Sequence, residues 1–146
     1  MPVEPNPHLQ GIPPAVHGGA TAEERASHPA GLLDFSVNSN PFGPSRDVLE
    51  AIRAVDVTRY PDPECADLRA VIAAHDDVSP EEVLPGNGST ELMFLIAQAY
   101  LMSGDKALVF GPTFGEYARA SMVAGATVVE AAASAQQGFK FDGFAV

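Results

Sequence analysis

Between Glu82 and Ala131 the sequence alternates between two kinds of segment, and this alternation restricts the architecture more than any other feature. "EVLPG" (Glu82–Gly86) reads as a short strand, Ser89–Met102 as a helix and "KALVF" (Lys106–Phe110) as a buried strand. Thr113 and Glu116 have the spacing of a capping box, which opens a further helix running to about Ala124. "ATVVEA", from Ala126, reads as one more strand. Strand, helix, strand, helix, strand with short connections implies right-handed crossovers and a largely parallel sheet. Three parallel strands still leave both faces and both edges in need of cover. The last segment, "QGFKFDGFAV", supplies no helix after the final strand. The expected fold is therefore α/β: an incomplete, mostly parallel sheet with flanking helices, stopping in mid-fold.

The upstream half has a different texture. Residues 1–45 are rich in proline, glycine and asparagine and lack core periodicity, so they are expected to form an arm lying on another surface. One short helix is expected after Thr21, which has capping-box spacing with Glu24. From Ser45 the pattern turns helical, with Val48, Ile52 and Val55 on one face. Pro61 and Pro63 interrupt the chain, and a second amphipathic helix carries Leu68, Val71 and Ile72. Ser79, Pro80 and Glu82 combine a capping box with proline at the first helical position, the signature of one short turn. The expected organisation is an arm over 1–45, followed by a partial larger domain over 46–146.

With 146 residues, 46% of them hydrophobic, the chain is long enough to bury a core and belongs with soluble globular proteins. Eight basic against nineteen acidic residues give a net charge of −11, which repels nucleic acid and anionic lipid. An anionic small molecule would then need local donors of its own. Cys65 is the single cysteine, so no internal disulfide forms, and a cytoplasmic location is expected. No signal-peptide pattern is present at the N-terminus, and the run Leu92–Met102, broken by Gln98, is too short to span a membrane.

The turn "GNGSTE" (Gly86–Glu91) leads directly into a helix, where unpaired amides and the helix dipole favour an anion. Gly88 allows the backbone to approach a ligand, and Ser89 and Thr90 add hydroxyl donors, so the turn reads as a phosphate cradle or as an ordinary well-capped turn. It is not a Walker loop, since no Gly-Lys-Ser/Thr follows, nor a full dinucleotide fingerprint, because Glu91 stands where the third glycine would be. "GPTFGEY" (Gly111–Tyr117) follows the next strand, where Phe114 can stack on a flat ring or fill the core. Tyr60 lies in "RYPDP", and Asn38 and Asn40 lie in "DFSVNSNPFGPS", with turn formation as the bland alternative for the asparagines. His17, in "HGG", is a lone loop histidine, more often solvated than functional. Asp76, Asp77, Glu81 and Glu82 read as solvated charge rather than metal ligands.

Taken in order, "HGG", "DFSVNSNPFGPS", "RYPDPE", "GNGSTE" and "GPTFGEY" resemble the N-terminal part of fold-type I pyridoxal-phosphate-dependent aminotransferases of class I/II. The resemblance runs from His17 to about Val129 and is nearest to the branch of threonine-phosphate decarboxylase and histidinol-phosphate aminotransferase. "HGG" and "DFSVNSNP" incline the reading to the decarboxylase of cobalamin biosynthesis, with the aminotransferase of histidine biosynthesis as the alternative. The resemblance implies pyridoxal 5'-phosphate as cofactor, its phosphate held by the Gly88, Ser89 and Thr90 turn and its ring stacked on Phe114. It implies that Tyr60 reaches the cofactor phosphate of a neighbouring subunit, hence a homodimer. It places His17, Asn38 and Asn40 on the side of a small phosphorylated amino-acid substrate.

That chemistry requires a lysine to carry the cofactor and move protons. Only Lys106 and Lys140 are present, and neither has the context of the family's lysine, so no catalytic residue is assigned. Three readings follow: part of a working enzyme, an inactive truncated relative, or a binding module that retains phosphate affinity.

Overall fold

A computed structural model describes residue 4, residues 6–15 and residues 17–141. The chain divides into two compact units, Gly18–Pro85 and Met1–His17 with Gly86–Val146.

In the first unit, α1 (Ala22–Ser27) begins at the expected capping box. The Glu24 amide donates to Thr21 Oγ1 at 3.1 Å, and Glu24 Oε2 accepts from the Thr21 amide at 2.7 Å. The helix α2 (Arg46–Ala54) is capped by Ser45 Oγ, which accepts from the Val48 amide at 3.3 Å. Its apolar face is present as expected, yet Val48, Ile52 and the adjoining Val55 are exposed. The helix α3 (Ala66–Asp76) starts after Cys65, whose left-handed backbone (φ 48°) makes no side-chain cap. Asp62 takes over that role, accepting from the amides of Glu64 at 3.0 Å and Ala66 at 2.8 Å. The predicted short turn is the 3-10 segment Pro80–Glu82, tied to α3 by Arg69 Nε donating to the Pro80 carbonyl at 2.9 Å.

The second unit holds α4 (Ser89–Tyr100), β1 (Lys106–Gly111), α5 (Glu116–Val123) and β2 (Thr127–Ala132). The two strands pair in parallel, in register from Lys106 opposite Thr127 to Gly111 opposite Ala132. The helix α5 connects them and packs on both strands and on α4. Among the described residues the buried apolar side chains here are all alanines: Ala97, Ala120, Ala126 and Ala133. Small side chains let α4 and α5 approach closely, but each buried methyl contributes only on the order of 0.8 kcal/mol.

Three expectations are corrected. "EVLPG" is not a strand: residues 83–86 pair with no other strand among the described residues, and Pro85 has no N–H for a ladder. Among the described residues the sheet therefore has two strands rather than three. Second, β1 is not buried, with Leu108 and Phe110 about half exposed, because two strands and their helices leave much of the sheet uncovered. Third, Thr113 does not cap α5. The Arg119 amide donates to the Gly115 carbonyl at 3.2 Å, so the helix starts from Gly115. Glu116 turns inward instead of back towards Thr113.

Candidate functional site: a helix-start cradle and a buried glutamate

The helix α4 begins at Gly88, which has φ 83° and ψ 170° and offers no side-chain cap. That backbone region is essentially restricted to glycine. The Ser89 and Thr90 amides form no hydrogen bond among the described residues, so two donors at the positive end of the helix dipole remain available. The turn is braced from within. Glu91 Oε2 accepts from the backbone amide of Asn87 and from Asn87 Nδ2 at 3.1 Å. A Cβ on Gly86 would lie 2.8 Å from Leu92 Cδ2, so glycine lets the backbone at Gly86 lie close against the start of α4. Glu91, which breaks the dinucleotide pattern in the sequence, is thus a brace that holds the turn in shape. A phosphate fits this arrangement: two free amides, two adjacent hydroxyls, and a backbone shape that a side chain would disturb.

A second group forms around the start of α5, in the same unit as the cradle. Phe114 meets the His17 ring edge-to-face at 5.6 Å and 71°, and meets Tyr117 at 6.5 Å and 89°. His17 Nε2 lies 2.8 Å from Glu116 Oε1, and the Arg119 guanidinium lies 3.5 Å from the same oxygen. Glu116 is only 1% exposed, and its Oε2 is buried without a partner. The structure therefore brings His17, Phe114 and Glu116 together. Reading His17 as a solvated loop residue overlooks its partner, which lies 99 positions away. Nothing in the local pattern around either residue signals that contact.

Tyr60, Asn38 and Asn40 belong to the other unit. Tyr60 is fully exposed. Asn40 is engaged in its own turn, with Oδ1 accepting from the Phe42 amide at 3.0 Å and Nδ2 donating to the Gly43 carbonyl at 2.8 Å. Asn38 is exposed. Nearby, bonds from the Ser36 hydroxyl and amide hold the Asp34 carboxyl below its usual range. Lys106 and Lys140 are both exposed, at the start of β1 and beyond β2 respectively. Among the described residues no group of His, Cys, Asp and Glu is arranged to hold a metal, and no helix is long and apolar enough to cross a membrane.

The family model for aminotransferase class I and II matches residues 30–145. Histidinol-phosphate aminotransferase from Sphingopyxis alaskensis is 39% identical over 133 residues, covering 87% of this chain and 34% of that protein. The enzyme of the same name from Anaeromyxobacter is 37% identical over 134 residues, covering 90% of this chain and 36% of that protein. This chain thus spans about a third of the length of the curated relatives it matches. The crystal structure of the Sinorhizobium meliloti histidinol-phosphate aminotransferase in complex with pyridoxal-5'-phosphate superposes with a TM-score of 0.60 and 28% identity, over 64% of this chain and 26% of that one. Aspartate aminotransferase from Thermotoga maritima gives a TM-score of 0.72 at 25% identity, over 92% of this chain and 39% of that one.

These names correct the inclination towards threonine-phosphate decarboxylase. That reading rested on "HGG" and "DFSVNSNP" alone, whereas similarity along most of the chain is to histidinol-phosphate aminotransferases.

Proposed function

This chain belongs to the aminotransferase class I and II family, and we propose that it carries the cofactor-phosphate half of a pyridoxal-phosphate site acting on a phosphorylated substrate of the histidinol-phosphate type. The observation that carries this reading is the start of α4, where the free Ser89 and Thr90 amides follow Gly88 in its glycine-only conformation. Bound there, the cofactor supplies an electron sink for bonds broken at the substrate's α-carbon. The residues of this chain would bind and orient it. Ser89 and Thr90 donate to the phosphate, Gly88 sets the direction of their amides, and Phe114 offers an aromatic face to the ring.

On this reading residues 1–45 form a substrate-side arm, with His17, Asn38 and Asn40 facing the substrate, and residues 46–146 open the cofactor-binding domain. Tyr60, exposed beside Pro61, would reach the cofactor phosphate of a second copy, which makes the assembly a homodimer. Neither Lys106 nor Lys140 is assigned as the cofactor-bearing lysine.

The test is a spectral titration of the full chain with pyridoxal 5'-phosphate, with inorganic phosphate as competitor. Saturable binding that phosphate displaces, with borohydride labelling not concentrated on Lys106 or Lys140, is the expected result. No binding at millimolar cofactor would refute the cradle. For the whole protein, amino transfer from histidinol phosphate is expected, and release of carbon dioxide from threonine phosphate would return the decarboxylase.

A further inference from the structure

Glu116 is the largest fully buried side chain among the described residues, in a unit whose buried apolar residues are all alanines. Burying a carboxylate is costly unless it is paired and hydrogen-bonded. Here the pairing is lopsided. One oxygen takes both His17 Nε2 and the Arg119 guanidinium, while the other has no partner. A residue serving only to cap or solubilise α5 would point outward into water. Glu116 points inward, and what its bonded oxygen secures is the imidazole that lies edge-to-face with Phe114.

We infer that Glu116 is a positioning residue: it ties His17 against Phe114, so that the aromatic face offered to the cofactor ring is held at a set angle. His17 is half exposed, so surrounding packing does little to hold its ring in place. The Glu116 hydrogen bond is the directional contact that does so, with the ring contact to Phe114 as the second restraint. Arg119, one helical turn on, lies beside the carboxylate and offsets part of its charge. The inference rests on the cofactor reading above, since it assigns Phe114 to the cofactor ring.

The test separates the two readings. In the cofactor-free full chain, NMR is expected to show cross-relaxation between the His17 and Phe114 ring protons. It should survive in Glu116→Gln, which keeps an acceptor oxygen, and disappear in Glu116→Ala. In cofactor titrations, Glu116→Ala and His17→Ala should each weaken pyridoxal 5'-phosphate binding by about tenfold. The double variant should be no weaker than either single one, and neither change should add to the loss in Phe114→Ala. Additive losses, or a ring contact that persists in Glu116→Ala, would overturn the inference. If Glu116→Ala does not fold, Glu116→Gln decides: a tenfold loss with the ring contact intact would mean that Glu116 acts by charge, not by position. Should the wild-type chain bind no cofactor, the cofactor reading falls, while the ring-contact comparison still decides whether Glu116 holds His17.

Discussion

Replacing Gly88 with alanine isolates the backbone's contribution to the cradle. At φ 83° and ψ 170° Gly88 occupies a region that costs a non-glycine residue about 1–3 kcal/mol. A Cβ placed there would meet nothing within 4 Å, so collision adds nothing and the whole effect is conformational. The chain can relieve the strain only by rotating the peptide units on either side, which swings the Ser89 and Thr90 amides away from a common anion. Restoring them on binding returns the strain, so affinity should fall by roughly 5- to 150-fold, at about 1.4 kcal/mol per decade. Calorimetric or spectral titration of Gly88→Ala with pyridoxal 5'-phosphate and with inorganic phosphate reads this directly. Gly104 is the control: its φ of 99° also lies in the positive region, it too faces open space, and it sits in the turn between α4 and β1. Gly104→Ala should lower stability and leave affinity intact. Binding within twofold of wild type in a folded Gly88→Ala chain, or an equal loss in both variants, would refute the reasoning.

Two further outcomes follow from helix starts. Ser89 is the first residue of α4, where proline is tolerated because its missing N–H would have no intrahelical partner. Ser89→Pro should therefore leave thermal stability nearly unchanged and weaken phosphate binding by at least about tenfold, because the amide and the hydroxyl of Ser89 are lost together; unchanged affinity would remove both donors from the site. In α1, Thr21→Ala removes the side-chain half of the capping box, leaves the backbone amide's bond to Glu24 in place, and should lower the stability of that helix by about 1 kcal/mol, seen as faster amide exchange over Ala22–Ser27. Bonds from the Thr21 amide and hydroxyl hold the Glu24 carboxyl below its usual range. A depressed folded value stabilises above the unfolded value and is lost as pH falls through the folded one, so exchange protection in α1 should drop on acidification below about pH 4. Glu24→Gln should flatten that dependence, and an identical pH profile in the two proteins would exclude the carboxylate as its source.

Much of the fold was legible because its signals are local. Thr21 with Glu24, Ser45 before the α2 face, and Ser79–Pro80 before Glu82 each declare a helix start within four residues, and each start stands where expected. The geometry at the start of α4 was legible for the same reason: a glycine that adopts positive φ and the amides it exposes are neighbours in sequence. Strands are harder to read, since a strand exists only where another accepts its ladder. "EVLPG" has suitable residues and no partner, whereas "KALVF" and "ATVVEA" find each other.

The sequence by itself determined where α1, α2 and the Pro80–Glu82 turn begin, and the family to which those motifs in that order belong. Only the tertiary structure decided that Glu116 abandons the capping role its spacing suggests and buries its carboxylate against His17, 99 residues earlier in the chain. The physical reason is that a buried carboxylate needs hydrogen-bond donors to offset its loss of water, and which donors lie within reach is set by how the elements pack, not by the residues on either side.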